Sequence, residues 1–254
     1  MYCGKPLTIS FGRRWAVTDA ARQIVPASVA TLVGVAGVVL EAFAEGVLWW
    51  ADERLLVVAD LHLEKGSSFA RRGEMLPPYD TADTLGRLGR LIRRLDPAIV
   101  IALGDSFHDD GGPARMAPSD RANLTFLQKG REWVWIAGNH DRLAPAGLAG
   151  AHLDTLTIGA LTFRHEPVAG PASGEIAGHL HPSARVAGRN KWVRRRCFAG
   201  DGFRLVMPAF GAYAGGLNVL DRAFSDLFAA PTFRCFLLGD ERVYPVSSRA
   251  LRPD

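Results

Sequence analysis

Three short apolar runs, each closed by a polar motif, constrain the fold of this chain more tightly than any other feature. They are Arg54–Ala59 (RLLVVA), Ala98–Leu103 (AIVIAL) and Trp133–Ala137 (WVWIA). Runs this short and this apolar suit strands buried on both faces, as in a parallel sheet covered by helices. The motifs that close them are Asp60-Leu61-His62, Gly104-Asp105 with His108, and Gly138-Asn139-His140-Asp141. Between the first two runs, Leu85, Leu88, Leu91, Ile92 and Leu95 recur at spacings of three and four, which predicts a helix with one buried face. Asp80 or Thr81 is its expected N-cap, and Ser119 that of a second helix through Leu127. The segment from His62 to Pro78 reads as a polar loop. A repeat of strand, motif and helix predicts an α/β sheet that carries function at its strand carboxyl ends.

The second half changes rhythm. Leu156–Ile158 and Leu161–Phe163 flank Gly159-Ala160 like a hairpin, and His165 follows. Glu175–Ala177 leads into Gly178-His179-Leu180-His181, and Trp192–Phe198, Arg204–Met207 and Arg234–Leu238 are further strand candidates. Upstream, Val35–Leu40 reads as a first strand, continued after a turn by Gly46–Trp50. The expected fold is α/β, with two packed mixed β-sheets forming a β-sandwich flanked by helices. A chain of 254 residues suffices for one such domain, placed at 35–250, with 1–34 as an extension whose structure the sequence does not define.

Ile24–Leu40 is apolar enough to resemble a leader or an anchor, but Pro26 interrupts it, Glu41 ends it, and it is short for a membrane span. No membrane association is expected. Cys3, Cys197 and Cys235 are odd in number and form no CxxC pair, which argues against a disulfide framework and points to a reducing cytoplasm. Thirty Lys and Arg against 26 Asp and Glu leave a net charge of +4, compatible with a phosphate-bearing partner without requiring one.

Six of the 7 histidines lie in the strand-end motifs, with His152 apart; it reads as a structural residue. Imidazoles and carboxylates at successive strand ends can converge on one point, and two divalent cations suit it. Two dications that share a carboxylate sit about 3.5–4 Å apart, acidify nearby water and neutralise phosphate oxygens. Imidazole, carboxylate and amide donors suit manganese, iron, zinc or nickel better than calcium. Glycines before Asp105, Asn139 and His179 allow the tight turns that aim these side chains.

The ordered set D-x-H, GD, GNHD, H, GHxH resembles that of the calcineurin-like metallophosphoesterase superfamily over roughly Val57–Pro182. The resemblance implies that Asp60, His62 and His181 hold one metal, that Asn139, His165 and His179 hold a second, and that Asp105 bridges them. It also implies that His140 acts on the leaving oxygen, with Asp141 and His108 as further catalytic candidates. One position departs from the pattern: three residues after Asp105, where the superfamily usually has an Asp supporting the catalytic histidine, stands His108. Either Asp109 takes over that support, or His140 works mainly neutral.

His62–Gly73 (HLEKGSSFARRG), Gly104–Asp109 (GDSFHD), Met207–Gly211 (MPAFG) and Gly215–Asn218 (GGLN) resemble one bacterial branch, the ligase-associated DNA damage response endonucleases, and extend the likeness to most of Val35–Val246. That branch implies a manganese-dependent phosphodiesterase that nicks DNA in repair, alongside an ATP-dependent DNA ligase, an exonuclease-like protein and a helicase; single-stranded DNA is the expected partner. Lys65, Arg71 and Arg72 follow the first motif directly and are the expected contacts to substrate phosphate. A basic cluster from Arg185 to Arg196, with Trp192 inside it, fits either single-stranded nucleic acid or an edge strand protected by charge. The alternatives are a small-molecule phosphodiesterase or nucleotide pyrophosphatase, and a non-catalytic scaffold, against which the complete ligand set argues.

Overall fold

The computed structural model of the chain describes residues 29–188, 191–229 and 231–254. Cys3, the start of the apolar stretch at Ile24 and most of the expected N-terminal extension lie outside the described residues. The first sheet opens with β1 (Thr31–Val35), β2 (Val38–Ala42), β3 (Leu48–Trp50) and β4 (Leu55–Val58), paired antiparallel in sequence order. Helices α1 (Lys65–Ala70) and α2 (Asp80–Leu95) lead to β5 (Ile99–Leu103). Helices α3 (Gly112–Arg115) and α4 (Pro118–Gln128) lead to β6 (Glu132–Ile136), and β7 (Ala151–Leu153) follows. From β4 to β7 the strands run parallel, so their carboxyl ends open on one edge.

The second sheet holds β8 (Thr155–Ile158), β9 (Leu161–Arg164), β10 (Glu175–Ala177), β11 (Pro182–Ala187), β12 (Trp192–Gly200), β13 (Arg204–Val206) and β14 (Leu217–Asn218). Its order is β14-β11-β12-β13-β10-β9-β8. To this path are added β15 (Arg234–Leu238) and β16 (Val243–Ser247) beside β12, and β17 (Leu251–Arg252) beside β11. Within it β9, β10 and β13 are parallel, which brings the ends of β9 and β10 to the same edge.

Alternation along β4 shows why this is a layered sandwich. Leu55 and Val57 join Leu156, Phe163, Ile176 and Leu205 of the second sheet in one core, while Leu56 and Val58 join Leu85, Leu88 and Leu124 of the helices in another. Successive strand residues point to opposite faces, so a strand apolar throughout serves two cores at once. The expected α/β sandwich flanked by helices is the fold observed.

Several local expectations are corrected. Val35–Leu40 is not one strand: Ala36 and Gly37, at φ of 49° and 82°, form a two-residue turn, and Val35 pairs with Val38 across it. Two successive positive φ values match the right-handed twist of a hairpin, and Gly37 accepts that conformation without strain. The expected loop from His62 to Pro78 contains α1. Asp80 and Thr81 do not cap α2. Asp80 Oδ2 accepts from the N–H groups of Lys65 (2.9 Å) and Gly66 (3.2 Å), and Thr81 Oγ1 accepts from Glu64 N–H (2.8 Å), so the start of α2 caps the start of α1. Ser119 is not a cap either, because Pro118 at the first position opens α4.

Arg204, on β13, is 1% exposed and paired with buried Glu175 of β10. Its remaining N–H groups donate to the carbonyls of Val168 and Leu227 (2.7 Å each) and Gly170 (3.1 Å). The loop leaving β9 is thereby tied to the sheet behind it. Arg204→Met removes one partner of a buried pair, and the expected loss is about 3 kcal/mol or more of unfolding free energy. Urea titration followed by tryptophan fluorescence checks this, and a loss below about 1 kcal/mol would contradict the clamp.

Candidate metal centre

Asp60 lies two residues beyond β4 and is fully buried. Its backbone N–H donates to Gly104 O (3.2 Å), and that of His62 to Asp105 O (2.9 Å), so the ends of β4 and β5 remain laced together past their ladders. Asp60, His62, Asp105, His179 and His181 all sit at left-handed φ, between 43° and 69°. Side-chain-bearing residues avoid that region, and clusters of such strain occur where a site over-determines the backbone. The cause here is reversal: each residue must turn off a strand end and aim its side chain into the gap between the sheets. Gly104 is required for space as well, since a Cβ there would lie 2.2 Å from His165 Nδ1.

The side chains form two adjoining groups, Asp60 with His62 and His181, and Asp105 with His165 and His179, whose candidate donor atoms lie within 4.8 Å of one another in each. In the first, His62 Nε2 is 3.3 Å from His181 Nε2, which is 3.3 Å from Asp60 Oδ1. In the second, His179 Nδ1 is 3.1 Å from His165 Nε2, which is 2.9 Å from Asn139 Oδ1. Asp105 stands between them, with Oδ1 at 3.4 Å from His165 Nε2 and Oδ2 at 3.8 Å from His62 Nε2. A third group, His62 with His108 and His140, shares His62 with the first.

Burial pushes His62 down to about 3, with the neighbouring imidazoles adding to the shift and Asp60 opposing it. Burial and then His165 lower His179 as well. Burial alone would raise Asp60, but its contact with His181 and the surrounding imidazoles outweigh it and the carboxyl is lowered. Burial thus disfavours the charged form of His62 and His179, while Asp60 is held ionised. This donor set fits divalent cations: imidazole nitrogens and carboxylate oxygens converge from separate strand ends, and buried His62 Nδ1 has no hydrogen-bond partner.

His140 rests beside this centre, its ring stacked on His108 at 5.3 Å between centroids. Its Nδ1 meets His108 O at 3.0 Å, and a carbonyl only accepts, so Nδ1 carries the hydrogen and Nε2 is left facing Asp105 Oδ2 at 3.9 Å. The support expected from Asp109 is therefore supplied by the main chain of His108. Asp109 is engaged elsewhere, in a bidentate pair with Arg115 at 2.7 and 2.8 Å. Asp141 accepts from Phe107 N–H at 3.0 Å and so pins the loop after Asp105, while burial pushes its carboxyl up to about 7. His152 is away from the cluster on β7, opposite Trp135.

Lys65 opens α1 with Nζ on Tyr213 O (3.0 Å), and burial first, then the nearby positive charges including Lys65 and Arg72, hold His108 below the usual imidazole range. Arg71 and Arg72 are exposed just beyond α1. Arg196, read from the sequence only as one of the basic cluster, donates to Ala209 O, Gly211 O and Ala214 O and fixes the loop whose Gly211 N–H donates to Asp60 O (3.1 Å). The signal for that inward role was its place inside a strand-like run.

In the metal-free protein the low value of His62 sets a pH dependence. An imidazole in an unfolded chain titrates near about 6.5, so on acidification the unfolded state takes up the proton first. The stability this group contributes is complete above about pH 6.5 and drains away as pH falls toward about 3. With chelator present, the urea midpoint should fall steadily from about pH 7 to about pH 4, and fall less in His62→Gln. A flat midpoint in the wild-type protein would contradict the burial of that ring.

The family model for calcineurin-like phosphoesterases matches residues 53–241. Among solved structures, Pseudomonas putida nuclease MPE is similar at 28% identity, over 85% of this chain and 100% of its own, with a TM-score of 0.66. Yfce, a phosphoesterase from E. coli, aligns at 14% identity over 76% of this chain and 98% of its own, with a TM-score of 0.38. No curated protein matches the chain. Among the described residues, no helix is long and apolar enough to cross a membrane.

Proposed function

The chain belongs to the calcineurin-like phosphoesterase family, and from that membership we propose that it is a phosphodiesterase of the nuclease type, using two divalent cations to hydrolyse DNA. The single observation that carries this reading is the pair of abutting donor groups with Asp105 between them. Similarity to Pseudomonas putida nuclease MPE and the branch-specific stretches around His62–Gly73 and Met207–Gly211 support DNA as the substrate. The proposed ligands are Asp60, His62 and His181 for one cation, Asn139, His165 and His179 for the other, and Asp105 for both. Manganese is the proposed metal, by resemblance to that branch. The same resemblance supports a role in cytoplasmic DNA repair beside an ATP-dependent ligase, an exonuclease-like protein and a helicase.

When bound, two such cations supply Lewis acidity to the phosphoryl oxygens and make solvent more nucleophilic. The chain's own residues do the rest. Burial of Asp60, His62 and His165 fixes the donors before substrate arrives, so little reorganisation accompanies the reaction. His140, with Nδ1–H committed to His108 O, holds Nε2 toward the reacting group, where it would assist the departing oxygen. Asp141 acts at one remove by holding Phe107, and with it the segment that presents His108 O. Lys65 and Arg72 border the His108 side, where they would meet substrate phosphates.

A grid of metals against single-stranded DNA, nucleotide sugars and an aryl phosphodiester tests the reading. Manganese-stimulated cleavage of single-stranded DNA is expected. Loss of partners one step removed from a metal costs 10–100-fold in comparable sites, so Asn139→Ala should reduce the rate by about 100-fold or more. Cleavage of nucleotide sugars with DNA left intact would move the substrate to small molecules. Wild-type rates in Asn139→Ala would sink the site assignment.

A further inference from the structure

The hairpin of β11 and β12 leaves the metal centre directly, since β11 begins at the residue after His181. Its pairing places Arg185 opposite Arg194, and β17 on the other side places Arg252 opposite Arg185. Three arginines therefore project from one face of strands spanning about 10 Å, with Arg185 also donating to Pro253 O and Arg252 to Arg249 O and Leu251 O. By the two-residue period, Arg196 and Trp192 share that face. The face borders the centre, because Arg196 holds the loop bonded to Asp60 and Arg194 donates to Gly216 O (2.7 Å) in the same loop.

Like charges directly opposed across a sheet destabilise it. Edge protection suits Arg194 and Arg252, which have a strand on one side only, but not Arg185, which is paired on both sides. Asp254 meets Arg194 at 3.0 Å, and both side chains are about half exposed. That places one carboxylate on an otherwise cationic strip. At its outer end Trp192 is 51% exposed, with the Arg185 guanidinium 5.2 Å from its ring centre. Spaced cations followed by a supported aromatic plane are what a phosphate backbone with an unpaired base requires. A duplex keeps its bases stacked on one another and makes no use of that plane.

We propose that this face is the track for single-stranded nucleic acid leading away from the scissile phosphate, with Arg185, Arg194 and Arg252 on the backbone and Trp192 under a base. The inference rests on the phosphodiesterase reading for its direction, but the surface can be tested without catalysis. Arg185 lies four residues beyond His181, about 13 Å along the strand, so the strip engages nucleotides outside the reacting linkage.

The test is fluorescence anisotropy of a labelled oligothymidylate of about 20 residues on the full chain with metal chelated, across a series of salt concentrations. Trp192→Ala should weaken binding about five-fold or more with the salt slope retained, while Trp192→Phe keeps most of the affinity. The double variant Arg185→Gln, Arg252→Gln should lower the salt slope by about 0.7 for each phosphate it no longer neutralises. All these variants should hydrolyse bis(para-nitrophenyl) phosphate with manganese as the wild type does. Variants that bind the oligonucleotide like wild type would overturn the track, as would a duplex bound equally well with Trp192→Ala silent. Wild-type protein that binds the oligonucleotide through these residues yet hydrolyses no diester with any metal would leave the track standing and remove the phosphodiesterase reading.

Discussion

The convergence of imidazoles and carboxylates from separate strand ends on one buried space is the constraint around which this molecule is arranged. Imidazole nitrogens stand 3.3 and 3.1 Å apart in two adjoining groups, and buried carboxylates lie against them. Nothing apolar in the surrounding layers relieves that arrangement. Protonation is opposed by burial, so a cation is the natural complement. Small domains do not assemble such a cluster without cost, and each left-handed backbone residue in it adds about 1–3 kcal/mol.

The two sheets carry that cost together. Strands β4, β5 and β6 supply Asp60, Asp105 and Asn139 from one layer, while β9 and β10 supply His165 and His179 from the other. Neither layer alone holds a complete donor set. The apolar interior shared by Leu55, Val57, Phe163 and Ile176 therefore fixes the spacing of the donors as well as the stability of the sandwich. Arg204 and Arg196 extend the same logic to loops, by saturating carbonyls that would otherwise leave the segments near the site loosely held.

Much of this was legible in the sequence. Arg54–Ala59, Ala98–Leu103 and Trp133–Ala137 announced buried strands, because an uninterrupted apolar run of that length has few other uses. The order of the motifs announced which side chains to gather. What stayed hidden was geometry set by the main chain or by residues distant in sequence. The Ala36-Gly37 reversal lies inside an apolar stretch with no polar punctuation beyond one glycine. Asp80 and Thr81 carry the right chemistry for a cap, but which helix end they serve depends on how two helices meet in space. The support for His140 is a peptide carbonyl, which every residue possesses and no motif records. Asp109 was drawn off by Arg115, six positions along, whose partner the sequence did not single out. Strands β11 and β17 contain arginines where apolar alternation was expected, and so escaped notice.

The borrowed cap at the start of α1 has a consequence for how the centre is approached. Because Asp80 and Thr81 saturate the first N–H groups of the segment that carries Lys65, that side of the opening is framed by two helices locked end to end. The backbone that carries Lys65 is therefore already ordered before an ester arrives. Little of its interaction energy is diverted to ordering chain, and selection falls on fit at the threshold before any bond is strained.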